Sequence, residues 1–273
     1  MQKLDRLGWA DGIAFRSYGL RIGVRVSDAA AMDKVIDRLP PGWKPAASHI
    51  VDHLYSIVVG GNAQGSRVQR FHLLYYDAEG LLRTKDDELI WKGFESDLQL
   101  LIADNAPRYI FVHAGVVGWK NQAVVIPGMS FSGKTTLVTK LVQAGAKYYS
   151  DEYAVLDENG LVHPFPRPLG IRKPNEFETN RIDVASLGGV SGSRPLPVRL
   201  VIATKYQAGA RWRPRQLTQG RGVLELLANT VSARSQTRLA FSTLPRAIQG
   251  AEVLKGVRGE ADDVVETILK KVA

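Results

Sequence analysis

Apolar and polar positions alternate from Ile13 to Ser27, with β-branched residues among them, and this predicts a β-hairpin over 13–27. The spacing then turns helical over 28–39, with Asp28 as its cap and "PPGWKP" as its stop. "LYSIVVGG" and "RFHLLYYDAEGLL" read as further strands, "ELIW" as another short one, and "FESDLQLLIADNAP" (94–107) as a helix. A second series opens with "RYIFVHAGVVGW" and "NQAVVIPG", two strands joined by a turn near Lys120 and Asn121. Leu137, Val138, Leu141 and Val142 then mark a helix that Gly145 would close as a left-handed cap. "AKYYSDEYAVLDENGLVHPF" reads as strand, Asp-Glu, strand, Asn-Gly turn and strand again. "LPVRLVIATKY" (196–206) is a buried strand, and "GRGVLELLANTVS" and "ADDVVETILKKVA" are helices. The second of these has Asp262 and Asp263 at its start and a Glu266/Lys270 surface pair. The pattern predicts an α/β protein, with a small α/β domain over 1–105 and a mixed β-sheet flanked by helices over 106–273.

Composition narrows the chemistry. With 45% hydrophobic and 23% charged residues, the 273-residue chain has the make-up of a globular protein with a sizeable core. It holds no cysteine, which excludes disulfides, thiolate catalysis and Cys-ligated zinc and fits a cytoplasmic location. The five histidines form no ligand cluster; His49 and His53 are four apart but lack the glutamate of a zincin motif. No apolar run reaches the ~18 residues of a membrane span, and "MQKLDRLGWADG" lacks a signal-peptide core, so no membrane role is expected. Net charge is +9, locally dense in "GARWRPRQ" (209–216) and "SARSQTR" (232–238). That density is either a solvated surface or a contact for an acidic partner, such as nucleotide phosphates or a negatively charged protein. Neither an aromatic-basic pattern nor a helix-turn-helix signal is present, so a nucleic-acid partner is not expected.

The most specific stretch is "PGMSFSGKTTL" (127–137), which satisfies G-x-x-x-x-G-K-[ST] between a predicted strand and a predicted helix. In that context the backbone of Gly128, Met129, Ser130, Phe131, Ser132 and Gly133 would curl around a nucleotide phosphate at a helix N-terminus. Lys134 would reach the β/γ oxygens, the Thr135 hydroxyl would bind Mg²⁺, and Thr136, next in the chain, is a further nucleotide-binding candidate. Asp151 and Glu152 end the strand after the loop's helix, where phosphoryl transfer needs a carboxylate on Mg²⁺ and a base for the acceptor proton. Adjacent acids in a strand point to opposite sides unless the backbone twists, so which acid is the base stays open. Arg167 and Arg172, in "HPFPRPLGIR", are candidate clamps for phosphate or an acidic acceptor, or ordinary surface ion-pair partners.

"HAGVV", followed fifteen residues later by "GMSFSGKTTL" and then by "AGAKYYSDE", resembles the C-terminal catalytic domain of HPr kinase/phosphorylase over about residues 108–175. The resemblance implies a P-loop kinase core of the type shared with phosphoenolpyruvate carboxykinase, using ATP and Mg²⁺. It assigns Lys134 and Thr135 to phosphate and metal, and His113, Asp151 and Glu152 to proton transfer and the far side of the metal site. The family's second aspartate is Glu152 here, and its later glutamate-bearing signature has no clear counterpart, although Glu176 and Glu178 lie nearby. The expected function is therefore ATP-dependent phosphorylation of a serine or similar hydroxyl on a peptide, protein or small molecule. Some relatives phosphorylate natural-product precursor peptides. The competing expectation is a non-catalytic ATP-sensing module that assists a partner; a carboxykinase-like metabolic enzyme is weaker, given the chain's length. A homo-oligomer is compatible with either.

Overall fold

Residues 4–62, 69–129, 132–172 and 179–272 are described by a computed structural model. They fall into two units, Met1–Pro107 and Arg108–Ala273. In the first, β1 (Asp11–Ser17) and β2 (Leu20–Val26) form the expected antiparallel hairpin. The expected helix after Asp28 is short: a 3₁₀ turn whose Ala30 N–H is accepted by the Asp28 carboxylate, then α1 (Met32–Ile36). There follow β3 (Lys44–Pro45), β4 (His53–Val58), the short pair β5 (Gly61–Asn62) and β6 (Gln69–Arg70), β7 (His72–Tyr76), β8 (Glu79–Thr84) and α2 (Asp87–Asn105). The main sheet has the order β3-β1-β2-β4-β7-β8.

"ELIW" is not a strand; it is the first turn of α2, seven residues ahead of the expected helix start at 94. Asp86 decides this, because its carboxylate accepts from the N–H groups of Glu88 and Leu89 and so nucleates the helix at that point. Ile90, Trp91, Phe94, Leu98 and Ile102 then fall on one buried stripe.

The second unit begins with the hairpin β9 (Tyr109–Trp119) and β10 (Gln122–Pro127). Its two turn residues, Lys120 and Asn121, both take positive φ (46° and 60°), the backbone that a two-residue hairpin turn requires. After the Gly128–Gly133 segment come α3 (Lys134–Gln143), β11 (Lys147–Ser150), β12 (Tyr153–Asp157), β13 (Val162–His163), and the pair β14 (Leu169–Arg172) and β15 (Thr179–Ile182). Then follow β16 (Val198–Tyr206), β17 (Arg215–Gln216), α4 (Gln219–Leu227), α5 (Thr237–Ala247), β18 (Glu252–Arg258) and α6 (Asp262–Lys271). Gly145, at φ +97°, stands just past α3 as expected.

These strands form a mixed sheet in the order β13-β12-β9-β10-β16-β18-β17, with β11 also paired to β9. β10, β16 and β18 run parallel, and β9 runs antiparallel to β10, β11 and β12. Alternation along β9 splits the core. Ile110, Val112, Ala114 and Val116 face a cluster that includes Leu226 of α4 and Leu244 of α5. Val117 faces the opposite cluster, with Leu137 and Leu141 of α3 and Ile268 of α6. Among the described residues no helix is long and apolar enough to cross a membrane.

Two elements carry weak sequence signals. α5 starts inside the basic run at 232–238 and holds Pro245, and its buried face is built largely from Ala240, Thr243 and Ala247. β18 is central, with neighbours on both sides, so its burial does not alternate.

The turn that aligns β9 with β10 is open to test. A β-branched residue resists left-handed backbone by about 1–2 kcal/mol. Asn121→Val is expected to lower unfolding free energy by about that amount in urea titration, whereas Asn121→Gly should retain wild-type stability.

Candidate active site

β10 ends at Pro127 and hands the chain to Gly128, whose N–H donates to the His113 carbonyl of β9 at 3.1 Å. The segment closes at Gly133, in left-handed backbone (φ +84°), which stands as N-cap of α3 without any side chain to cap the helix. The first N–H groups of α3 therefore have no intrahelical acceptor, and together with the helix dipole they form a ready anion seat. The Lys134 ammonium folds back over this seat, donating to the carbonyls of Gly128 (2.6 Å) and Met129 (2.8 Å). Burial pulls its pKa down, while Asp151 and Glu152 oppose that shift. Met129 is exposed, Ser132 is half-buried, and Thr136 is exposed on the first turn of α3. Ser130 and Phe131 lie outside the described residues.

The acid pair is positioned by a break in pairing. β11 and β12 both run beside β9, with a register irregularity at Tyr148–Ser150 and renewed pairing at Tyr153 opposite His113. The buried Ser150 hydroxyl accepts from the N–H groups of Glu152 and Tyr153 and turns the backbone there. Asp151 consequently points at α3: its Oδ2 accepts from the Thr135 hydroxyl at 3.1 Å and from the Gly170 N–H at 3.3 Å. Its Oδ1 lies 2.9 Å from the Tyr148 hydroxyl.

Glu152 lies in the same field as Lys134 and, among the described residues, has no such set of donors. Desolvation, then the Asp151 charge, push its carboxyl up to about 7, with Arg181 and Lys134 pulling the other way. The residue is nevertheless exposed by surface area, so water screens part of that push.

His113 lies on the α3 side of β9, since Gly115, two residues on, faces the Lys134 Cβ and Val138. Its half-buried ring is 4.9 Å from the Tyr153 ring. Burial first, and Lys134 second, hold its pKa below the ordinary imidazole value, so it is neutral at pH 7. His113, Lys134, Thr135, Asp151 and Glu152 thus converge on one end of β9, β10 and α3.

Of the two candidate arginines, Arg167 is half-buried, and burial followed by the like charge of Arg181 pushes it down to about 10. Its carbonyl lies 2.8 Å from the Tyr148 hydroxyl. The side chain of Arg172, like Glu176 and Glu178, lies outside what the structure describes.

Two further residues belong to this site. Arg181 of β15 acts on Glu152, as just noted. Arg258, at the end of β18 and 1% exposed, donates to the Gly133 carbonyl at 2.7 Å and to the Gly259 carbonyl at 2.9 Å. It straps the loop's left-handed glycine to the sheet. A Cβ on Gly133 would stand 2.6 Å from the Arg258 guanidinium, which ties the two residues together.

Comparison with known proteins adds little to this geometry. No family model matches the chain, and no curated protein matches it. Among solved structures it is similar to that of the Hpr(Ser) kinase/phosphatase from Coxiella burnetii, at 15% identity and a TM-score of 0.30, over 59% of this chain and 87% of that one. A likeness of that size carries no argument by itself.

The electrostatics make a direct prediction. The folded protein holds the Glu152 proton more tightly than the unfolded chain, whose carboxyl titrates near 4.5. This group's contribution to stability is therefore fully present below pH 4.5 and is lost as pH rises through about 7. In a carboxyl-carbon NMR titration Glu152 should show a midpoint near 7, and Asp151→Asn should move it downward by removing the adjacent like charge. A Glu152 midpoint that stays put in Asp151→Asn would mean the two acids do not share one field.

Proposed function

We propose that the second unit is an ATP- and Mg²⁺-dependent kinase, acting in the cytoplasm, that phosphorylates a serine or similar hydroxyl on a peptide, protein or small molecule. The observation that carries this reading is the shared position of the Lys134 ammonium, the Thr135–Asp151 pair and a carboxyl with a raised pKa at the uncapped N-terminus of α3. A structural ion-pair network would bring opposite charges into contact; here the acids sit beside each other and the lysine is held off on carbonyls.

Each residue has a role that follows from its surroundings. The N-terminal amides of α3 bind the β-phosphate, and Lys134 exchanges its two carbonyl acceptors for β/γ oxygens when the nucleotide enters. The Thr135 hydroxyl and the Asp151 carboxylate are hard oxygen donors, which suit Mg²⁺. The rest of an Mg²⁺ shell would come from phosphate oxygens and water. When bound, Mg²⁺ neutralises charge on the transferring phosphoryl group.

Glu152 takes the acceptor proton. With a pKa near neutrality it is partly ionised at pH 7 and basic enough to work, whereas Asp151 is committed to Thr135, Tyr148 and Gly170. Neutral His113 offers a hydrogen bond beside Lys134 without adding charge. Arg181, with Arg167 behind it, supplies positive potential on the acceptor side. In the transfer step the acceptor oxygen forms a bond to Pγ, the bond from Pγ to the β,γ-bridging oxygen breaks, and ADP leaves with the electron pair.

Lys134→Ala is expected to weaken Mg·ATP binding at least tenfold and abolish transfer of labelled phosphate while the melting temperature holds, as calorimetry and thermal unfolding on one preparation would show. Nucleotide affinity with no labelled product from any acceptor would make the unit an ATP-sensing module instead.

The two acids should separate kinetically. Asp151→Asn should lose activity that raised Mg²⁺ or Mn²⁺ partly restores. Glu152→Gln should keep nucleotide affinity, lose about 10²–10⁴-fold in turnover, and lose the acid limb near pH 7 in the kcat/KM profile of the wild type. Wild-type turnover in both variants would reduce the pair to a turn.

A further inference from the structure

A cavity of about 490 Å³ opens at the C-terminal ends of β10, β16 and β18, next to the phosphate-seat loop. Pro127 and Gly128 form one wall, and Glu225 and Asn229 of the α4 end form another. The lining also carries four cations: Lys205 of β16, Arg213, Arg215 of β17 and Lys255 of β18. In open α/β sheets ligands lie outside the carboxyl ends of parallel strands, and this cavity occupies that position.

Its charge is not balanced from within. Lys255 pairs with Glu225, which answers one cation with one anion. Lys205, Arg213 and Arg215 have no ion-pair or hydrogen-bond partner for their side chains among the described residues. Arg215 also stands directly opposite Lys255 in the β17–β18 ladder. Like charges at opposed ladder positions are unfavourable unless a counter-charge sits between them. The cavity therefore sets four cations, Lys205, Arg213, Arg215 and Lys255, against one carboxylate, Glu225.

The phosphate seat is at α3, which packs in the core on one face of the sheet, whereas the cavity is walled by α4, which packs in the core on the other. Gly128 is common to both sites. The Asn229 wall is joined to the acid side as well, because the His113 N–H donates to the Asn229 carbonyl at 2.7 Å and His113 pairs with Tyr153, next to Glu152.

We infer that this cavity holds a carboxylate or phosphate carried by the phosphoryl acceptor, so that the substrate is an anionic hydroxy compound rather than a neutral one. The inference rests on the kinase reading of the adjoining loop. The anion sits on Lys205, Arg213 and Arg215, and the acceptor's own hydroxyl is presented past Gly128 to the transferring phosphoryl group. The hydroxyl oxygen bonds to Pγ, Glu152 takes the proton, and ADP departs. A cavity of this volume suits a small metabolite or one to three residues of a peptide.

Calorimetric titration of the full-length protein, with and without saturating Mg·ADP, tests the inference. The probes are 3-phosphoglycerate for the metabolite source and the capped peptide Asp-Ser-Glu for the peptide source, with glycerol and capped Ala-Ser-Ala as neutral partners. One anionic probe should bind, more weakly as salt rises, and its neutral partner should not. The exposed-residue double variant Arg213→Gln/Arg215→Gln should weaken that probe at least tenfold and leave Mg·ADP affinity and melting temperature unchanged. Binding of neither anionic probe, equal binding in the double variant, or a loss that falls on Mg·ADP instead would overturn the inference. Adding labelled ATP separates it from the kinase reading: a probe that binds through Arg213 and Arg215 but is never phosphorylated keeps the anion site and removes the kinase.

Discussion

The strand Tyr109–Trp119 is the part on which the site depends. It pairs with β10 on one edge and with both β11 and β12 on the other, so one strand sets the height of the loop and of the acid pair. The turn at Lys120 and Asn121 fixes the first pairing, which brings the Gly128 N–H to the His113 carbonyl. The interruption at Tyr148–Ser150 adjusts the second, so that Asp151 meets Thr135. A one-residue slip of either neighbour would turn its side chains to the other face. Burial on both faces of β9 opposes any such slip.

Around that strand the charges are held in tension. Two carboxylates lie side by side with a half-buried lysine near both, and the lysine's hydrogen bonds go to carbonyls. The arrangement leaves Glu152 protonated more readily than a free glutamate and His113 less readily than a free histidine. Both shifts bring a neutral form within reach at pH 7. Arg258 supplies rigidity rather than charge: its guanidinium is spent on two backbone carbonyls, one of them in the loop.

Much of this was legible in the sequence. The hairpin into the loop, the glycines at 128 and 133, the helix they open and the acid pair after it follow from local patterns that the backbone must obey. What a linear pattern does not carry is register. That Asp151 and Glu152 serve one site depends on the Ser150 hydroxyl turning the chain, and either acid alone looks like a turn residue. Arg258 and Arg181 reach the site from strands distant in sequence, so spacing arguments pass over them. "ELIW" misled for a related reason: its β-compatible residues outweighed a cap, Asp86, that acts only through backbone hydrogen bonds. The basic run at 209–216 shows only its density in the sequence; that Arg213 and Arg215 share a cavity wall with Lys205 and Lys255 is a tertiary fact.

The most direct test of the account is a crystal structure with Mg²⁺ and a non-hydrolysable ATP analogue. The account predicts the triphosphate on the N-terminal amides of α3, the Lys134 ammonium moved from the Gly128 and Met129 carbonyls onto β/γ oxygens, and Glu152 facing Pγ. A nucleotide bound elsewhere, or Lys134 still on its two carbonyls with the analogue in place, would contradict it.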